Sequence, residues 1–397
     1  FSGMVYNPHR DRIFLLGGRT GLTDPGGEGP MPSIVSNEQW ELNTATLNWT
    51  PVSPTVNTTA KYGFGMVYAS ATQEIILYGG QDDIPTSILS EIWDYNFTSN
   101  QWNTGANALN GGPEQRRSHA MVEDPVNHRL FVYGGFDYEY PGAGEDPGDG
   151  GDPGDFGAPQ IDFTDEAWMY SEVTNKWTSL DTPSGEHPGG IADHQMVYTV
   201  ASNPDNNRIL LFGGQTYDGS DISYLNDIWS YNPQAPEGAN PWSTVSVTNP
   251  PSQRPSPRIG HAMAYSEDQN KIVVFGGQAE DGPDPGNVQD YKNDTWVYDV
   301  ATSTWAPAGP GPSARAYAKM VYISHTQQFL LFGGVQITAE SLDEFGQVAP
   351  EAYALNAETW VFDLATNSWD ELTPAEPPPP LFAHHMIYNP KRQRVLL

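Results

Sequence analysis

A short apolar run closed by two glycines recurs six times in this 397-residue chain, and each copy is followed by a spaced pair of tryptophans. The runs read RIFLLGG, EIILYGG, RLFVYGG, RILLFGG, KIVVFGG and QFLLFGG. Their glycine pairs are Gly17/Gly18, Gly79/Gly80, Gly134/Gly135, Gly213/Gly214, Gly276/Gly277 and Gly333/Gly334. A methionine precedes each pair by 13 residues in five copies and by 17 in one: Met4, Met66, Met121, Met196, Met263 and Met320. The tryptophans are Trp40/Trp49, Trp93/Trp102, Trp168/Trp177, Trp229/Trp242, Trp296/Trp305 and Trp360/Trp369, which accounts for all 12 in the chain. A repeat of this length is the strongest constraint on architecture that a sequence can carry.

Each unit predicts four short strands: A around the methionine, B up to the glycine pair, and C and D at the two tryptophans. In C the Trp and an aromatic residue two places on (as in IWDYN and TWVYD) alternate with other side chains, so they share one face of a strand. The glycine pair marks a bend or a close backbone approach. One four-stranded sheet cannot cover both of its apolar faces, and several stacked radially can, which is the logic of a β-propeller. Composition agrees, since 40 Gly and 35 Pro favour turns over long helices.

The Gly-Gly doublet after an apolar strand, the aromatic strand and the following Trp resemble the kelch repeat over essentially the whole chain. The resemblance implies an all-β fold, a single kelch-type propeller of four-stranded antiparallel blades spanning 1–397. Approximate repeats are 1–60, 61–113, 114–188, 189–253, 254–312 and 313–380, with a partial seventh at 381–397. That last segment, FAHHMIYNPKRQRVLL, places Met386 at the marker position. Seven blades are therefore expected, the remaining C–D half lying beyond one of the given ends. A six-bladed ring with an extra terminal strand pair is the alternative.

The A–B and C–D turns are mostly short, whereas the distance from the glycine pair to the first Trp varies from 13 to 33 residues. Insertions confined to one face of a repeat array mark its working surface. The B–C and D–A loops are thus the expected ligand face, with Phe136, Tyr138, Tyr140, Tyr217, Tyr291 and Tyr353 as its aromatic contacts. The longest B–C connection holds EDPGDGGDPGD, in which Asp146, Asp149, Asp152 and Asp155 stand three apart. Short-spaced carboxylates among Gly bends suit calcium, the one cofactor the residues suggest, although the spacing matches no EF-hand; a solvated acidic loop is the plain alternative. A weaker echo, EDGPDPG, begins at Glu280.

His119, His194, His261 and His384 stand two residues before the marker Met. The expectation is a structural slot in which a ring nitrogen bonds the neighbouring blade. Arg116, Arg258 and Arg315, with Lys61, stand five before it and are expected to form repeated ion pairs within a blade.

With 49 acidic and 18 basic residues the formal charge is −31. Phosphate backbones and anionic membranes are repelled, while cationic partners are attracted. No apolar run of about 18 residues is present, so no spanning helix is expected. Absence of cysteine removes thiol nucleophiles, thiolate metal sites and the Cys–Tyr crosslink on which kelch-like copper oxidases depend. No G-x-S-x-G, H-E-x-x-H or P-loop pattern occurs. The expectation is a non-enzymatic module that binds a protein or glycan, in an extracellular or cell-surface setting. N-glycosylation candidates are Asn48, Asn57, Asn96 and Asn293. A subunit self-associating through unpaired terminal strands, and a kelch-fold enzyme acting on sugars, are the alternatives. Polar groups converging at the central channel would favour the enzyme.

Overall fold

A computed structural model describes residues 3–20, 34–82, 87–104, 111–139, 160–180, 186–236, 239–279, 291–309, 311–337, 353–374, 378, 380–381 and 383–397. Among these the fold is all-β, with only two 3₁₀ turns, Pro204–Asn206 and Pro251–Gln253. Six antiparallel sheets of four strands follow the A-B-C-D order in sequence. The second blade shows the pattern: Gly65–Ala69, Glu74–Tyr78, Ile92–Asn96 and Gln101–Thr104.

The terminal segment forms a seventh sheet of two strands, Ile387–Asn389 and Arg394–Leu396. Its inner strand touches both Lys319–Ile323 of the sixth blade and Gly3–Asn7 of the first. Seven inner strands thus close the ring around six complete blades, and the terminal pair occupies the seventh position. Asp11 fastens this closure, accepting hydrogen bonds from Asn389 at 2.9 Å and from Arg392 at 2.6 Å. Burial alone would raise the Asp11 carboxyl, but these donors hold it well below the ordinary carboxylate range.

After a polar first residue, the B strands are apolar up to the glycine pair because both of their faces are buried between blades. In the second blade Ile75 and Leu77 join Phe14 and Leu16 of the first, while Ile76 and Tyr78 join Leu130 and Val132 of the third. Strand alternation alone assigns each side chain to its neighbour.

The D-strand tryptophan of each blade packs on a B-strand aromatic of the blade before it. Ring centroids are 6.0 Å apart for Trp102 and Phe14, 5.2 Å for Trp177 and Tyr78, and 4.7 Å for Trp242 and Tyr133. Trp305 with Phe212 and Trp369 with Phe275 repeat the contact. Trp49 of the first blade has no such partner among the described residues and stays 38% exposed.

The glycine pairs stitch adjacent blades. Gly134 has φ +65°, and a Cβ there would lie 2.3 Å from the Ile191 carbonyl oxygen of the next blade. Gly135 donates its N–H to that same oxygen at 2.8 Å. Gly80, Gly214, Gly277 and Gly334 make the equivalent bond. The first blade departs from this: its B and C strands continue through a bulge at Leu16/Gly18, and Gly18 pairs with Ser36.

Candidate functional site

Among the described residues, three B–C connections leave the loop face as two-stranded ribbons. Phe136–Glu139 pairs with Gln160–Phe163, Gln215–Tyr217 with Ile222–Tyr224, and Val335–Ile337 with Tyr353–Leu355. The third and fourth blades' ribbons meet where the rings of Phe163 and Tyr217 lie 6.4 Å apart. In the fifth blade Tyr291 bridges to Gln278.

Arg117 sits at the base of the third ribbon. Its guanidinium carbon is 4.5 Å from the Phe136 ring centroid, 5.8 Å from that of Tyr62 and 5.9 Å from that of Tyr138. It also donates to the Tyr62 hydroxyl at 3.4 Å and to the Tyr138 hydroxyl at 3.3 Å. A planar cation held by aromatic faces is a rigid platform that retains its charge.

This arrangement changes the role of one expected ligand contact. Phe136 is only 7% exposed, packed under Arg117 and 5.6 Å from the Phe163 ring, and supports the surface instead of forming it. Tyr138 and Tyr217 are half-buried. Tyr291 is also half-buried, and Tyr353 opens the return strand of the sixth blade's ribbon. Tyr140, Asp146, Asp149, Asp152 and Asp155 lie outside the described residues.

The repeated basic positions pair within their blades. Arg258 is fully buried and grips Asp294 with two bonds, of 2.7 and 2.8 Å, while donating to the Gly276 carbonyl at 2.9 Å. Burial alone would raise the Asp294 carboxyl, but the guanidinium outweighs it and holds the group below its usual range. Trp296 donates its indole N–H to the same carboxylate at 2.6 Å. Arg116 with Glu166, Arg315 with Glu358 and Lys61 with Glu91 repeat the scheme.

The repeated histidines differ from expectation. Neither ring nitrogen of His119, His194, His261 or His384 has a hydrogen-bond partner among the described residues. The rings act instead through shape, each placing Cε1 over the first glycine of the preceding blade's pair: Gly79, Gly134, Gly213 and Gly333. Burial holds all four neutral, pushed down to about 3.

Next to the histidines, a ring of backbone runs around the channel mouth. Ser118, Asp193, Tyr317 and Ala383, each three residues before a marker Met, have φ between +46° and +56°. Asp193 donates its N–H to Ser118 O at 3.1 Å, Ser118 to Gly63 O at 3.2 Å, Tyr317 to Gly260 O at 2.6 Å and Ala383 to Tyr317 O at 2.8 Å. Left-handed backbone at non-glycine residues costs about 1–2 kcal/mol each and clusters at functional sites. The ring frames a cavity of about 260 Å³ that holds the side chains of Asp193 and Lys319. Polar groups therefore converge here beside apolar Phe64 and Met121, the one feature that favours the sugar-enzyme alternative. Gln215 donates to Asp193 at 2.8 Å, while Lys319 forms no ion pair among the described residues.

Of the sequon asparagines, Asn48, Asn57 and Asn293 are exposed. Asn96 is committed to its own turn, accepting from the Thr98 and Ser99 N–H groups and donating to Glu74 at 2.7 Å.

Arg117, Asp193 and Lys319 escape sequence reasoning. The one available signal is register: Asp193 is the only charged residue among the positions three before the marker Met, and Lys319 stands one before it where four other repeats place Gly or Ala.

The chain matches the family described as the KLHDC2/KLHL20/DRC7 Kelch-repeats domain over residues 3–197 and 149–388. It is 28% identical over 227 residues to Mei4-dependent protein 6 of Schizosaccharomyces pombe, covering 55% of this chain and 28% of that protein. It is 31% identical over 220 residues to human Host cell factor 2, covering 52% of this chain and 24% of that protein. The match thus spans about a quarter of each relative's length. With its repeated glycine stitches, arginine clamps and tryptophan contacts, this chain belongs to the kelch-repeat family of β-propellers.

Proposed function

We propose that the chain is a non-enzymatic recognition module that engages another protein through its B–C and D–A face. The observation that carries this reading is the contact between the third and fourth blades' ribbons, with Arg117 fixed among three aromatic rings beneath Tyr138. Rigid aromatic and arginine groups at the centre of a face are the usual anchors of protein interfaces. Kelch-repeat domains serve mainly as protein-interaction modules, which supports the reading. The −31 charge favours a partner with a basic surface.

The test is capture by the purified chain, comparing Tyr138→Ala/Tyr217→Ala with Val173→Asp. Val173 is 70% exposed on the opposite, C–D turn face. Loss of the same partner with the first variant and retention with the second is expected; the reverse pattern overturns the reading. Glycan binding, an extracellular setting and calcium at Asp146, Asp149, Asp152 and Asp155 belong to the same proposal. A melt in calcium and then in chelator tests the ion.

A further inference from the structure

The channel-mouth cavity is lined by none of the ribbon residues, although Gln215 at the root of the fourth ribbon bonds its Asp193, and its two charged groups are not paired with one another. Asp193 stands on the left-handed bend just before the fourth blade's inner strand, and Lys319 opens the inner strand of the sixth, close enough for each to perturb the other's ionisation. They form no ion pair, and among the described residues no group accepts a hydrogen bond from the Lys319 ammonium. The cavity has room for about eight waters, the size of an amino acid and not of a drug-sized ligand. Its remaining wall includes apolar Phe64, Met121 and Met196, the hydroxyl-bearing Ser118 and Tyr317, and Gln195, with three of the repeated histidines and His385 around them.

We propose that this cavity binds a small zwitterion with an apolar body, its carboxylate on Lys319 and its ammonium on Asp193. An enclosed cation and anion that do not meet are the complement of a molecule carrying both charges a few bonds apart. Burial disfavours the charged form of each side chain in the empty cavity, raising Asp193 and lowering Lys319. A bound zwitterion supplies the missing counter-charge to both. The left-handed backbone of Asp193, φ +54°, aims its carboxylate from the ring, and Gln215 fixes it there at 2.8 Å.

The test uses the whole chain and thermal melting in a series that varies the charge separation: leucine, β-alanine, γ-aminobutyrate and ε-aminocaproate. Isocaproate and isoamylamine are the half-ligand controls. At least one zwitterion should raise Tm by about 3 °C at saturating concentration, with neither half-ligand doing so. Asp193→Asn, which tolerates the same backbone, and Lys319→Met should each abolish that shift. Their unliganded Tm should stay level or rise, because each removes an uncompensated charge. The proposal is overturned if no zwitterion exceeds its half-ligands, or if the shift survives in the variants. It is equally overturned if either single variant lowers the unliganded Tm by several degrees, the signature of a structural pair. None of these outcomes depends on a protein partner, so the ribbon-face reading stands or falls separately.

Discussion

The imidazole of His194 closes over Gly134 of the preceding blade, its Cε1 3.0 Å from where a Cβ would stand, while the Ile191 carbonyl oxygen lies 2.3 Å from the same point. Gly134 is therefore confined from two sides by the segment that leads into the next blade's inner strand. Gly134→Ala forces a side chain into left-handed backbone and against a carbonyl that cannot yield without parting the blades. A loss of about 3 kcal/mol or more is expected in urea unfolding. Gly219→Ala, at φ +97° with nothing within 4 Å, should cost only about 1 kcal/mol.

The same histidines make the fold sensitive to mild acid. His119, His194, His261 and His384 ordinarily titrate near 6.5 but are pushed down to about 3, chiefly by burial. Between these values the unfolded chain binds protons that the folded one refuses, so stability is full above the unfolded pKa and falls as pH drops below it. Each contributes a slope of up to about 1.4 kcal/mol per pH unit. The urea midpoint should fall between pH 7.5 and pH 5. His194→Phe should reduce that fall by one histidine's share, since Phe64 fills the same position in the second blade. A midpoint flat across this range contradicts the account.

Tryptophans in equivalent positions should not be equivalent in energy. Trp102 is 1% exposed, packed on Phe14 and donating its indole N–H to Gln39 at 2.8 Å. Trp102→Ala should cost about 3–5 kcal/mol by chemical denaturation. Trp49→Ala, at a side chain 38% exposed, should cost about 1 kcal/mol or less.

Breaking an arginine clamp should depend on which partner is removed. Asp294→Asn leaves the fully buried Arg258 guanidinium without its counter-charge. The Asp294 side chain is 36% exposed, so solvent screening reduces the loss to about 2–3 kcal/mol. A thermal melt reads it, and the exposed pair Asn103 and Asp94 is the control. Asn103→Ala should change stability by no more than about 0.5 kcal/mol.

Much of this architecture was legible because it repeats. Trp102 and Trp369 announce outer strands by their nine-residue spacing, and Arg258 and Arg315 share one offset from the marker Met. Gly17 and Gly18 look identical to the other pairs, yet Gly18 bonds within its own blade, because the first blade's strands run on past the bend. The histidines were legible as a repeated slot, but not as shape-fillers for glycines in another blade. Non-repeating chemistry stayed hidden. Arg117 meets Tyr62 of the preceding blade and Tyr138 of its own, and Asp193 shares the channel-mouth cavity with Lys319 two blades on, contacts that appear only once the blades stack. Phe136 shows the opposite failure: an aromatic beside a long loop looks available until Arg117 covers it.

Hydrogen–deuterium exchange on the chain with its captured partner tests the central claim most directly. Protection confined to Phe136–Glu139, Gln160–Phe163, Gln215–Tyr217 and Ile222–Tyr224 is the predicted result. Protection centred on the opposite face, at the A–B and C–D turns around Val126 and Val173, would contradict it.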